Sequence, residues 1–509
     1  MSGMTARDVV RRIEAFKDGR PLPRGTTIHF PIKRREALLL SFVRMGGETF
    51  PWGLAYSRPG GRRTILTVPE PRDRTLVADM ILEFAPVLLS HVNHPDYTDD
   101  EHDLDNQPPL SQVWLPNPTH LTMLHYLNFA YGRTNFGNRK RKRLLRAFGR
   151  ACGWLFRESQ RPGQVTVIDA SGALRESFTF PADDLRQQHL GFLLAWLETK
   201  GGRKTRIQAA AEAEALSIAT ALNPDLERTV LSKIVEGWNE TRHASNEARM
   251  KRSAREIKRA LVPELQRRLD LTERARRILA EDKRRQNSGV EKLEDASLGE
   301  HWYQYLRLEK NTEDDEDKND GPIYTPHPET DYAPSRAASR YYIMEASEEL
   351  YRISLIHDDL DLQEEAIASG DAFRGQIVRV RDEGNGRRLT PIWSIHVRAQ
   401  GPLRLKGGSG LVLLGDPGVQ AYIRTIRDRG RKGRDIEVEI KVGKKKSEIS
   451  GRRVENAAST RLKGLKVAFA VPDSGFFLRR KSSLVWKRNG PGKWLTHDRM
   501  PPEPAERTD

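Results

Sequence analysis

Between His91 and Asp105 the chain gathers His91, His94, Asp96, Asp99, Asp100, Glu101, His102, Asp103 and Asp105 into 15 positions. Imidazoles and carboxylates are the ligand types of divalent ions, and an ion held by them would turn a bound water into a nucleophile. That is the chemistry of a metal-dependent nuclease or hydrolase. The spacing matches no established ligand pattern, and an acidic stretch with prolines is ordinarily a solvated loop. His357-Asp358-Asp359 repeats the residue types on a helical stretch, where a single His-Asp pair reads as structural. The phosphate cradle Gly-x-x-x-x-Gly-Lys-Ser/Thr is missing: Gly201-Gly-Arg-Lys-Thr205 lacks the upstream glycine, and no lysine follows Gly415-Asp-Pro-Gly418. Gly-x-Ser-x-Gly elbows and His-Glu-x-x-His helices are missing as well. No catalytic residue, metal or cofactor is therefore assigned.

Basic residues carry a stronger signal. Asp371 to Met500 holds 30 Lys and Arg against 12 Asp and Glu, a surplus of 18, whereas the whole chain of 509 residues carries a net +16. The clusters are Arg427, Arg429, Arg431, Lys432 and Arg434; Lys444, Lys445 and Lys446; Arg479, Arg480 and Lys481; and Lys487 with Arg488 beside Trp486. Phe476, Phe477 and Trp494 interleave with them. Cations neutralise phosphates, and exposed rings stack on bases, so nucleic acid is the expected partner. If the rings are barrel core instead, contact is electrostatic alone. Upstream, Arg139-Lys-Arg-Lys-Arg143 with Arg146 and Arg150 makes a cationic helix that suits either phosphate or plain solvent.

The elements that must position these groups follow from periodicity. Gln376–Arg381, Trp393–Arg398, Asp435–Val442 and Lys466–Val471 alternate with period two and predict strands of a small basic barrel or sandwich. Near the N-terminus, Ala6–Phe16 and Asp73–Leu89 have helical spacing, and Thr49–Tyr56 and Arg63–Val68 look extended. Helices are expected again at Thr119–Tyr131 and Asn138–Arg157. Gln164–Asp169 and Ala173–Phe180 then read as a hairpin around Gly172. Residues 183–285 are almost wholly helical. Met250, Ala254, Ile257 and Leu261 form a narrow apolar seam that suits either a charged arm or a helix packed on its own domain, and Pro263 is expected to split the series.

The charge reverses between Glu281 and Gly370, with 10 basic against 23 acidic residues, and four prolines follow from Gly321 to Pro334. Such a stretch predicts a solvated linker. The fold class expected is a multidomain α+β protein. It comprises an α+β domain at 1–135, a mainly helical region with one hairpin and an arm at 136–290, an acidic linker with helices at 291–370, a basic β-barrel-like domain at 371–500 and a disordered tail at 501–509. Cys152 is the single cysteine, which excludes an intrachain disulfide and suits a reducing compartment. The apolar runs fall far short of the roughly 20 residues that span a membrane. A soluble cytoplasmic protein is expected.

His301-Trp-Tyr-Gln-Tyr-Leu-Arg-Leu-Glu-Lys310, then Phe373–Val380, then Leu411–Asp416, resembles the accessory module of Upf1-like superfamily 1 helicases, a barrel on helical stalks beside the motor. The resemblance covers residues 298–443. An acidic insertion separates helix from barrel, and no motor follows. It implies a strand-guiding role for Arg374, Arg379, Arg381, Arg398 and Lys406. The function expected is a non-catalytic nucleic-acid-binding accessory subunit that works with a separately encoded helicase or nuclease, in bacterial genome maintenance or anti-phage defence. A metal-dependent hydrolase using the His91–Asp105 loop and a protein-interaction scaffold are the alternatives.

Overall fold

The computed structural model describes residues 6–25, 36–93, 111–284, Tyr305 and 353–471, apart from positions 47, 162, 163, 165, 244, 245, 354, 358, 384–389, 399, 400, 415, 443–447, 450, 451 and 454–461. The fold is mixed α+β, in two compact units. One comprises Met1–Arg24, Ile28–Asn287 and Glu294–Pro326; the other comprises Gly25–Thr27, Ser288–Leu293 and His327–Asp509. No helix among the described residues is long and apolar enough to cross a membrane.

The first unit is built on a five-stranded sheet. After α1 (Ala6–Asp18) and β1 (Leu22–Pro23), strands β2 (Ala37–Arg44), β3 (Pro51–Ser57) and β4 (Thr64–Thr67) form an antiparallel meander. Helix α2 (Arg74–His91) leads to β5 (Gln112–Leu115), which lies parallel to β2, and α3 (Pro118–Tyr131) and α4 (Arg139–Ser159) lead to β6 (Val167–Asp169), parallel to β5. The strand order is β4-β3-β2-β5-β6. Strand β2, Ala-Leu-Leu-Leu-Ser-Phe-Val-Arg, is buried along all but its last residue, as a strand covered on both faces must be. Successive side chains point to opposite faces. Ser41 Oγ donates to Leu265 O of a long helix later in the chain at 3.4 Å, and the Phe42 ring lies 6.2 Å from His120 of α3.

That long helix is the last of a series that runs α5 (Ala170–Ser177), β7 (Phe178–Thr179), α6 (Leu190–Glu198), α7 (Arg203–Glu214), α8 (Ser232–His243) and α9 (Glu247–Glu281). Three expectations are corrected here. Residues 164–180 are not a hairpin: Asp169 caps α5 by accepting from the Ser171 N–H, β6 joins the main sheet, and β7 pairs with β1. Pro263 does not split α9, which runs unbroken for 35 residues. An interior proline costs about 3 kcal/mol, but Ile257, Leu261, Leu265, Leu269 and Leu279 are all buried, at roughly 1.5–3 kcal/mol each. Helix α9 is therefore a core helix against β2 and β3 from Ile257 onward. Finally, no domain boundary falls at 135, because one hydrophobic core runs from Ala37 through Phe148 and Leu193 to Leu279.

Helices α3 and α4 cross so closely that only glycine fits at the contact. A Cβ on Gly149 would lie 2.3 Å from Gly132 N and 2.6 Å from Tyr131 C. The Arg146 guanidinium donates to Thr134 O and Asn135 Oδ1, both at 2.7 Å. The two helices therefore run antiparallel, with the end of α3 beside the middle of α4 and Asn128 against Gly153.

In the second unit, α10 (Leu360–Ser369) packs Ala366 against Ala372 and Ala470. Strands β8 (Ala372–Glu383), β9 (Thr390–Val397), β10 (Gly410–Leu413), β11 (Asp416–Asp428), β12 (Arg434–Val442) and β15 (Lys466–Ala470) close in the order β10-β11-β12-β9-β8-β15, while β13 (Glu448–Ile449) and β14 (Arg452–Arg453) pair separately. Phe373, Trp393 and Phe469 fill the interior with Ile395, Ile436 and Val438.

Candidate nucleic-acid interface

The described part of the basic region separates into cations that the fold neutralises and cations that it leaves exposed. Strand β12 turns Asp435, Glu437 and Glu439 outward while Ile436, Val438 and Ile440 face the core. This acidic column engages β11 and β9 beside it and, across β9, β8. Arg381 of β8 donates to Glu437 at 2.9 Å and to Glu383 at 3.1 Å, and Arg424 of β11 pairs with Glu383 and, at 3.3 Å, with Glu439. His396 Nδ1 lies 2.8 Å from Asp435, which also pairs with Arg429. The hydrogen bonds from Arg424 and Arg381 hold the Glu383 carboxyl below its usual range. Glu437 is lowered too: burial opposes the shift, but the bond from Arg381 prevails. Arg434 pairs with Asp428 at 3.3 Å and donates to Gly401 O at 2.8 Å, and Arg374 pairs with Glu364 at 2.5 Å. Arg374, Arg381, Arg429 and Arg434 are thus committed within the chain.

Arg379, Arg398, Lys406, Arg427, Arg431 and Lys432 are exposed and make no ion pair among the described residues. Four of them cluster at one end of the barrel. Arg431 and Lys432 sit on the tight turn between β11 and β12, where Gly433 at φ 96° presses on β9: a Cβ there would lie 2.2 Å from Val397 O and 3.2 Å from Arg398 Cα. Arg398 is thereby fixed beside the turn. The segment 401–409 crosses the same end, with Leu403 and Leu405 packed on the core and Arg404 and Lys406 exposed. Arg404 pairs with Asp371 at 3.5 Å, whereas Lys406 has no carboxylate partner among the described residues. The chemistry available is phosphate neutralisation. Of the barrel's described aromatics, Phe373, Trp393 and Phe469 are interior, while Tyr422 of β11 is half-buried opposite Glu439.

Lys444, Lys445, Lys446, Arg479, Arg480, Lys481, Trp486, Lys487 and Arg488 lie outside the described residues, as do His94 to Asp105 of the expected metal loop. His91, the described member of that loop, ends α2 with Nε2 3.0 Å from Gln112 O, and burial lowers its pKa. No cluster of metal-ligand side chains occurs among the described residues. His357 bonds Val471 O at 2.9 Å, and Asp359 caps α10 by accepting from Asp361 N and Leu362 N.

Open α/β sheets bind ligands at the carboxyl ends of their parallel strands, and in the first unit that place is filled by the chain itself. Beyond Leu39, where pairing of β2 with β5 stops, residues 217–222 lie against the end of β2. Arg44 N donates to Thr220 O at 2.8 Å, Thr220 N to Thr119 Oγ1 at 3.0 Å, and Arg268 to Ala219 O at 2.7 and 3.1 Å. His120 is wholly buried, accepting from Phe42 N on Nδ1 and donating from Nε2 to Ile218 O, each at 3.1 Å. Burial, with the charge of Arg268 second, pushes its pKa down to about 3, so the ring is neutral. At the end of β5, Asn117 is spent as the cap of α3. At the end of β6, Asp169 is partly buried, its side chain 14% exposed, with its pKa raised to about 6, chiefly by desolvation, and it is occupied by Ser171. Sequence reasoning missed this self-filled crevice because its contacts join residues 49 to 176 positions apart. The acidic column of β12 was legible in the alternation of Asp435, Glu437 and Glu439.

Compared with protein-family models, with curated proteins and with solved structures, this chain matches none.

Proposed function

We propose that this protein is a non-catalytic nucleic-acid-binding accessory subunit that serves a separately encoded helicase or nuclease. The observation that carries the reading is the end of the barrel where Arg398, Lys406, Arg431 and Lys432 converge without carboxylate partners, while neighbouring cations are neutralised. A fold that leaves four cations exposed at one end, beside an acidic strand that could have paired them, suits an external polyanion. In this reading the barrel plays the part of the β-barrel module in the Upf1-like resemblance, from which a strand-guiding role alone is carried over; a cytoplasmic setting in bacterial genome maintenance or anti-phage defence is our inference from the architecture. The filled crevice of the first unit favours binding over turnover.

The test is binding of the full chain to labelled single- and double-stranded DNA and RNA at about 50 mM salt, a condition in which phosphate contacts are strong. Binding weakened by Arg431→Glu with Lys432→Glu supports the reading. No binding of any nucleic acid by the unaltered chain overturns it.

A further inference from the structure

We infer that the first unit carries a second nucleic-acid contact, a stripe of cations on the solvent face of α9 formed by Arg255, Lys258 and Arg259. The inference rests on the proposed function and adds a surface to it. Helix α9 buries Ile257 and Leu261 on one side. At about 100° per residue, Arg255 and Arg259 fall on the opposite side with Lys258 next to them, and all three are exposed. Lys251 and Arg252 continue the same side one turn earlier.

Elsewhere on α9 the fold supplies carboxylates. Arg267 and Arg268 share Glu264, and Arg274 pairs with Glu198 of α6. Lys251 and Arg252 have Glu247 and Glu256 as partners, at 3.5 and 3.1 Å. Arg255, Lys258 and Arg259 make no ion pair among the described residues. They also repel one another, because residues three and four apart on a helix are neighbours and like charges there are destabilising. An external polyanion relieves that repulsion.

The kind of polyanion follows from the composition of the stripe. None of the exposed large apolar side chains lies on α9, whereas a protein partner is ordinarily held by apolar and aromatic anchors. Phosphates need none. From Arg252 to Arg259 is about 10 Å of helix at 1.5 Å per residue, and one strand of a duplex presents a phosphate for every 3.4 Å or so of its axis. The stripe therefore spans about three phosphates, one for each of its three cations without a carboxylate. Contact of this kind is to the backbone and carries no sequence preference.

The experiment compares the full chain with Arg255→Ala/Lys258→Ala/Arg259→Ala, with Arg255→Lys/Arg259→Lys and with Arg431→Ala/Lys432→Ala, by anisotropy of a labelled duplex and a labelled single strand between about 50 and 200 mM salt. Alanine is the best helix former and the three side chains are exposed, so the core stays intact. The triple variant is expected to lower the slope of log affinity against log salt by about 2.7 on duplex and about 2.1 on a single strand, which shrinks the salt-induced loss on duplex roughly 40-fold. The lysine variant keeps the charge and should keep the slope; a slope lowered equally in it marks a structural effect and overturns the inference. A triple variant with the slope of the unaltered chain on both ligands also overturns it, and the barrel variant then decides the proposed function alone. A slope reduced in the triple variant but not in the barrel variant upholds the inference and overturns the barrel reading. Failure of the unaltered chain to bind either ligand overturns both. Binding of poly-glutamate more tightly than duplex, lost in the triple variant, assigns the stripe to an acidic protein and overturns the inference.

Discussion

Removing Arg431 and Lys432 tests the barrel end through its salt dependence. Each phosphate neutralised releases counterions, so the logarithm of the binding constant falls with the logarithm of salt at about 0.9 per contact on duplex DNA and about 0.7 on a single strand. The four exposed cations at this end, Arg398, Lys406, Arg431 and Lys432, set a slope of about −3.6 on duplex, or roughly a 150-fold loss of affinity between 50 and 200 mM salt. Alanine at Arg431 and Lys432 takes away two contacts and should reduce the slope by about 1.8, whatever further cations contribute. Both residues are exposed on a turn, so the barrel core is untouched. Fluorescence anisotropy of a labelled duplex across a salt series reads the slope directly. A double variant with the wild-type slope would refute the placement of the interface at this end. As a control, Arg381→Ala should change the slope little, since Arg381 is already held by Glu437 and Glu383.

Three further outcomes follow from the first unit. His120 has a folded pKa below its unfolded value, so the stability it confers is complete above about 6.5 and is lost as pH falls toward 3; at pH 5 the loss is about 2 kcal/mol. Urea denaturation between pH 7 and 5 should show that loss, and His120→Asn should lack it; an identical pH dependence in the variant counts against the assignment. Asp169 has the opposite sign: its raised value gives stability that is full below about 3.8 and lost as pH rises through about 6, by about 3 kcal/mol. Asp169→Asn, which retains an acceptor for the Ser171 N–H, should therefore gain on the wild type at pH 8 and not at pH 4 when the same denaturation is repeated. Gly149→Val forces a side chain into the backbone of α3 and should lower stability by about 1–3 kcal/mol or more; an unchanged thermal midpoint would show that the helices are not in that contact.

Local pattern was enough for many elements. The alternation in Gln376–Arg381, Trp393–Arg398, Asp435–Val442 and Lys466–Val471 appears as β8, β9, β12 and β15, because a half-buried strand must alternate. Asp73, Asn117 and Asn138 mark helix starts that their own side chains cap. The hairpin at 164–180 misled for a physical reason: three residues of β6 find their partner in β5, some 50 positions away, and turn chemistry at Gly172 says nothing about that.

By itself the sequence determined where the charge is concentrated and which of many segments are strands or helices. These are properties of composition and of short-range period. Tertiary structure alone decided which cations remain exposed, because neutralisation depends on the register that sets β12 between β9 and β11 and brings Glu437 to Arg381, 56 positions away. It also decided that α9 is core rather than arm and that residues 217–222 fill the end of the sheet. Each of these outcomes rests on contacts between residues distant in the chain, which no local pattern encodes.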